Sequence, residues 1–256
     1  MIAVFAAMTS EVTGFGRRLA KRKGAQVGGY PIQWGEYAGK PVLLCRTGLG
    51  RRAEAAVRAV LDRYPASGGV LSAGVGGALN PEFRVGDLVV CESVRRTPSR
   101  DLDPVLVNSD QRLVRLAYAR AKAADLRVWL GQSLTVERVV GDPAEKEALR
   151  RSWGLDVVEM ESYWVGLVAQ ERELPFIAVR VISDVAGDAV PDIPGVMTPE
   201  GEVRLGKVIP HVLRNPASIP HLLRLALSSR RAAGELTRFL EAFVGAFEVT
   251  PVAEPA

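Results

Sequence analysis

Two glutamates flank a single methionine in DVVEMESYW, residues 156–164, between an apolar run and a mostly apolar helical pattern. Glu159 and Glu161 therefore sit where a carboxylate is costly unless a ligand, a cation or hydrogen-bond donors meet it. Two further acids follow apolar strand-like runs: Glu11 closes AAMTSE, and Asp184 closes VRVISD directly after Ser183. Two glycine-rich runs, RTGLG at 46–50 and SAGVGGALN at 72–80, let backbone N–H groups approach a ligand closely. A carboxylate at a strand-to-helix junction, such as Glu161, can accept hydrogen bonds from two adjacent hydroxyls of a ribose, and Met160 offers apolar surface to the sugar ring. Each group also has a plainer role: Glu161 as a helix cap, Glu159 paired with a nearby arginine, Asp184 as an N-cap, Glu11 in a first helical turn. Their coincidence at one sheet edge favours a shared site.

The elements that must position them alternate along the chain. Strands are expected at 2–8, 31–37, 40–48, 68–76, 86–94, 127–136, 155–160 and 175–184, and helices at 10–22, 52–64, 110–124, 143–153 and 162–173. Ser10 and Asp110 are expected N-caps, and Pro143 suits a first helical turn. Strands alternating with helices of this length imply an α/β fold, a mostly parallel or mixed sheet covered on both faces, with an antiparallel hairpin at 31–48. In a doubly wound sheet of that kind, ligands bind outside the carboxyl ends of the strands. One domain over 1–250 is expected, with 187–247 a loop and helical extension broken at Pro210, Pro216 and Pro220, and 251–256 a tail.

Bulk properties narrow the class. With 48% hydrophobic and 24% charged residues, 256 residues suffice for a large globular core. The net charge of +4 is spread as isolated arginine pairs, unlike the clustered stripe of a nucleic-acid binder. Cys45 and Cys91 lie in apolar runs and are expected as buried reduced thiols; no metal site is expected. No apolar run approaches the length of a membrane span, and the N-terminus lacks a signal-peptide pattern, so a cytoplasmic protein is expected.

SAGVGGALNPEFRVGDLVV, VVEMES and VRVISD, in that order, resemble the nucleoside phosphorylase and nucleosidase family, nearest the methylthioadenosine/S-adenosylhomocysteine nucleosidases. The resemblance covers residues 1 to about 186 and implies a three-layer α/β/α sandwich around a mixed central sheet, assembled as a homodimer or larger homo-oligomer. It implies that Glu161 binds the ribose hydroxyls with Met160 against the sugar, that Asp184 serves N7 of a purine, and that Glu11 orients the attacking water. Val75 and Gly76 would lie beside ribose and base, with Glu159 and Ser183 next to them. No cofactor is implied, although inorganic phosphate could be a co-substrate; Gly48, Arg46 and Arg51 would then hold phosphate or water. Where the nucleosidases commonly place an aromatic against the base, this sequence has Val139 and Val140. The C-terminal extension is similar to that of the hopanoid-associated phosphorylases, which implies a nucleoside with a bulky 5′-substituent or peripheral membrane contact through 205–247, at the inner membrane surface; its plainer role is a helical pair packed on the core or on a subunit interface.

Two other classes compete. GLGRRA at 48–53 matches a dinucleotide fingerprint, but the next strand supplies no acid for the ribose. A non-catalytic nucleoside-binding module would keep Glu161 without needing Asp184 and Glu11 together.

Overall fold

The computed structural model describes residues 1–65, 68–97, 106–190, 198, 200, 206 and 219–247. Strand β1 (Ile2–Ala6) leads to α1 (Thr9–Gly16), then β2 (Ala20–Val27), β3 (Tyr30–Tyr37) and β4 (Lys40–Arg46). Next come α2 (Arg52–Arg63), β5 (Gly69–Ala78), β6 (Leu88–Arg96), β7 (Leu106–Asn108), α3 (Gln111–Ala123) and β8 (Val128–Thr135). Helix α4 (Pro143–Trp153), β9 (Val157–Glu159), α5 (Ser162–Glu171), β10 (Phe176–Asp184) and α6 (Ile219–Ala246) complete the order.

Strand alternation builds the layers. Ile2, Val4 and Ala6 of β1 face α1, α3 and α6, whereas Ala3 and Phe5 face α2 and α5. Both faces are thus covered, as a three-layer sandwich requires. Helix α6 carries much of the first layer, with Ala232, Leu236, Phe239, Leu240 and Phe243 fully buried and the Phe239 and Phe243 rings stacked 5.4 Å apart. Phe239→Ala should lower unfolding stability by about 3–5 kcal/mol, measured by denaturant titration, because it deletes a ring from a packed interior. Cys45 and Cys91 are buried free thiols, both pushed up to about 12 by burial.

The sheet is mixed. β1 pairs in parallel with β4 and β5, and β5 in parallel with β10. β10 is antiparallel to β6, β6 and β8 are parallel, β8 and β9 are parallel, and β9 returns antiparallel to β5. The sheet is mixed as expected, and those five strands close into a ring. The consequence matters for the site: β9 runs against β5, so its glutamates reach the site from the opposite direction to Glu11 and Asp184.

Two local expectations need correcting. Helix α1 stops at Gly16 instead of continuing to 22, and residues 20–27 form β2, an edge strand almost wholly exposed. With both faces in solvent, AKRKGAQV needs no apolar alternation, so the pattern that reveals a strand is missing. Ser10 is not an N-cap: the helix starts at Thr9 with Met8 in the cap position, and the Glu11 carboxylate reaches back to accept from the Met8 N–H. Pro220 lies in the first turn of α6, where its missing N–H is not needed, and residues 207–218, on which a break there would depend, lie outside the described residues. Pro210, Pro216 and the tail at 251–256 lie outside the described residues. Asp110 caps α3 as expected, accepting from the N–H groups of Arg112 and Leu113, and Pro143 opens α4 behind the Asp142 cap. Among the described residues, no helix is long and apolar enough to cross a membrane.

Candidate active site

Register brings the acids together. Gly77 of β5 pairs with Asp184 on one side and with Val158 on the other, so the ends of β10 and β9 flank it. A Cβ at Gly77 would lie 2.9 Å from an Asp184 carboxylate oxygen, and one at Gly74 would lie 2.7 Å from Glu11 Oε1. Glycine at these two positions lets the acids close in on β5. Between them lies a cavity of about 280 Å³, lined by Glu11, Val75, Gly77, Glu159, Met160, Glu161, Ser183 and Asp184 among others. Its remaining wall is mostly aliphatic, with Leu49, Val136, Val139, Val140 and Val190, and Leu225 entering from α6, and it also includes Arg138, which pairs with Glu145. Val140 is buried while Val139 is largely exposed, so the pair expected at the base is split between wall and rim. Gly76 is not in the lining: on a strand it faces away from Val75 and Gly77, packs against Val157, and its carbonyl accepts from Ser183 Oγ at 3.2 Å.

Each carboxylate has its own setting. Glu11 accepts from the N–H groups of Met8, at 2.8 Å, and Val75, at 2.9 Å. Burial pushes its pKa up, against those hydrogen bonds and the Arg180 charge. Glu161, in the cap position of α5, accepts from the Gly50 N–H at 2.8 Å. Burial first and the neighbouring Glu159 charge second push it up to about 8. Glu159 is occupied by the protein: it accepts from the N–H groups of Glu161 (2.9 Å) and Ser162 (2.7 Å), from the Thr135 hydroxyl, and from Arg180 at 2.6 Å.

Arg180 is the residue that sequence reasoning left unassigned. Only 2% exposed, it also donates to the Ser72 carbonyl and hydroxyl and to the Val179 carbonyl. Burial works against its charge, but Glu159, Glu161 and Glu11 together hold its pKa above the ordinary value. The signal was present, since one arginine within the otherwise apolar FIAVRVIS is an anomaly that demands a buried partner. Three carboxyl groups surround one guanidinium, and the two raised by burial, Glu11 and Glu161, can face a cation when they ionise.

Asp184 stands at the other end of the cavity. Its Oδ1 accepts from Ser183 Oγ at 2.7 Å and its Oδ2 from Lys146 Nζ of α4 at 2.5 Å. Nothing in the spacing of α4 marked that lysine.

The expected phosphate residues lie elsewhere. Arg46 lines a larger cavity of about 450 Å³ between α1 and β2–β4, and none of the acids above faces it. The Arg51 guanidinium lies 5.0 Å from the Trp164 ring centroid and pairs with Glu54. Gly48 donates its N–H to the Ala7 carbonyl at 3.2 Å. The glycine loop reaches the cavity instead through Leu49 and the Gly50 N–H.

Residues 1–213 match the Phosphorylase superfamily profile. The chain belongs to that superfamily. Among superfamily relatives, the 5′-methylthioadenosine/S-adenosylhomocysteine nucleosidase of Tolumonas auensis is 29% identical over 204 residues, covering 74% of this chain and 88% of that protein. The protein of the same name from Bacillus thuringiensis is 30% identical over 203 residues, covering 73% and 86%. In fold, the Neisseria meningitidis nucleosidase in complex with methylthio-immucillin-A superposes with a TM-score of 0.76 at 20% identity, covering 96% of this chain and 98% of that one. The futalosine hydrolase of Helicobacter pylori gives 0.74 at 19% identity, covering 95% and 96%.

Proposed function

We propose that this protein cleaves the N-glycosidic bond of an adenine nucleoside and releases the base, with water as the nucleophile. The observation that carries the reading is the arrangement of the carboxyl groups lining the cavity: Glu11, Glu159 and Glu161 gather around Arg180, and Asp184 stands apart from them against Lys146. In the reaction, the C1′–N9 bond breaks with its electron pair going to the purine, and the sugar becomes cationic. Glu161 accepts hydrogen bonds from the ribose hydroxyls and, with Glu11, stabilises that cation, an interaction stronger in the transition state than in the substrate. Asp184 gives its proton to N7 of the departing base. Glu11 takes a proton from water, whose oxygen bonds to C1′. The 5′-methylthioadenosine/S-adenosylhomocysteine nucleosidases among the relatives are consistent with this reading.

Water is favoured over phosphate by charge. Arg46 and Arg51 do not line the cavity, Arg180 is taken up by Glu159 and the Ser72 and Val179 carbonyls, and Arg138 in the lining is paired with Glu145, so a phosphate dianion would meet carboxyl groups with no uncommitted arginine to offset them. Glu11→Gln should therefore reduce turnover by about 10²–10⁴-fold, as expected for loss of a general base. Adenine release should also be unchanged by added phosphate. Strict phosphate dependence, with a sugar 1-phosphate product, would make the protein a phosphorylase instead.

Support for an apolar 5′-substituent comes from Met8, Leu49 and Met160, which give the cavity an apolar surface. It suits a large apolar group, an adenosyl lipid among them. An adenine-release assay comparing methylthioadenosine, S-adenosylhomocysteine, inosine and an adenosyl lipid tests both parts. Equal use of inosine would refute the choice of base, and preference for the most polar substituent would refute the apolar 5′ site.

A further inference from the structure

Helix α4 packs over the Asp184 end of the cavity, yet the one side chain it buries is a lysine. Lys146 is 0% exposed, and its ammonium meets three acceptors: Asp184 Oδ2 at 2.5 Å, the Val185 carbonyl at 2.9 Å and the Asp188 carbonyl at 3.3 Å. A buried ion pair is a poor source of stability, because desolvating two charges offsets most of their attraction, and an apolar pair of the same volume often does as well. A merely structural anchor for α4 would not need a charge. The partner is also not an arbitrary carboxylate but the one facing the site.

Resting on the reading above, we propose that Lys146 is a positioning residue for base departure: it fixes the Asp184 carboxyl group, and the ion pair between them is the state restored once Asp184, having taken up a proton from solvent, has given it to the purine. The C1′–N9 electron pair goes to the base, the Asp184 O–H bond breaks, N7 gains that proton, and the carboxylate left behind faces an ammonium already in contact. Ser183 Oγ holds the other oxygen, so the group cannot swing away from the base. Behind Asp184 lies a second cavity of about 230 Å³, lined also by Asp188, Arg224 and Ser228, through which a proton can be regained from solvent after the base leaves. Charge balance of this kind matters only as the carboxylate forms, so it acts on turnover more than on substrate binding.

The test separates leaving groups. Lys146→Met should lower kcat for adenine release at least about tenfold with KM little changed, a share of what the general acid contributes. Lys146→Arg, which keeps the charge, should recover most of it. With 4-nitrophenyl riboside, whose leaving group departs as a stable anion without a proton, Lys146→Met should match the wild type. If Lys146→Met is too unstable to assay, Lys146→Gln keeps donors for the two carbonyls without the charge and carries the same comparison. Wild-type kcat on adenine nucleosides, or an equal loss on both kinds of substrate, would overturn the role of Lys146 and leave the proposed reaction standing. A wild-type protein that releases no base from any nucleoside would overturn the reaction itself.

Discussion

Asp184→Asn leaves a folded protein whose turnover in adenine release is down by about 10²–10⁴-fold, the range expected when a general acid is removed. The amide occupies the same volume, can still accept from Lys146 through its oxygen, and lies at the end of a strand buried along its length, so the fold is retained. What it lacks is a transferable proton. Steady-state kinetics with methylthioadenosine and a circular-dichroism melt check both halves. A fully active variant would remove Asp184 from the chemistry. Because the loss concerns the base alone, the variant should keep its affinity for ribose-containing ligands, and that separates it from changes at the opposite end of the cavity.

Glu161→Gln has a different signature, because it acts on both catalysis and stability. In its ionised form, populated as pH rises through about 8, Glu161 is a charged acceptor of the ribose hydroxyls, and a neutral amide in its place removes about 1.5–3 kcal/mol of hydrogen bonding there, roughly 10–100-fold in kcat/KM. The stability effect goes the other way. Glu161 is raised from an ordinary 4.5 to about 8 in the folded protein, so between these values the folded state holds a proton that the unfolded chain has released. That contribution is fully present below about pH 4.5 and is lost as pH rises through about 8. Denaturant titrations of the wild type should show this loss, and Glu161→Gln, which has no charge to bury, should lack that part of the slope. Above pH 8 the variant should therefore be the more stable protein. Parallel pH–stability curves for the two would reject the buried, protonated state of Glu161, whereas unchanged kinetics would reject its contact with the sugar. Activity and stability trading in opposite directions at one residue is what a strained binding site predicts.

Much of this arrangement was legible before any contact was known, because it rests on local pattern. Alternating apolar residues of β1 and β5 announce strands buried on both faces, and helices between them imply a covered sheet. The acids Glu11, Glu161 and Asp184 stand out because each follows an apolar run, where a charge is anomalous. Where that signal failed, the physical reason is visible. β2 has no buried face and so no alternation to read, and β7 is only three residues long. Arg46, Arg51 and Gly48 were grouped by proximity in sequence, but the loop turns so that Leu49 and the Gly50 N–H face the cavity while the arginines find Thr9, Trp164 and Glu54.

By itself, then, the chain of residues determined the α/β class, the layers and the acids available to a nucleoside. Only the tertiary structure decided which partners those acids have: Arg180 against Glu159, 21 residues away, and Lys146 against Asp184, 38 residues away. Such pairs depend on strand direction, register and the closing of β9 onto β5, which no local periodicity encodes. An isolated carboxylate is visible in a sequence as a cost; the charge that offsets it becomes visible only once the strands are side by side.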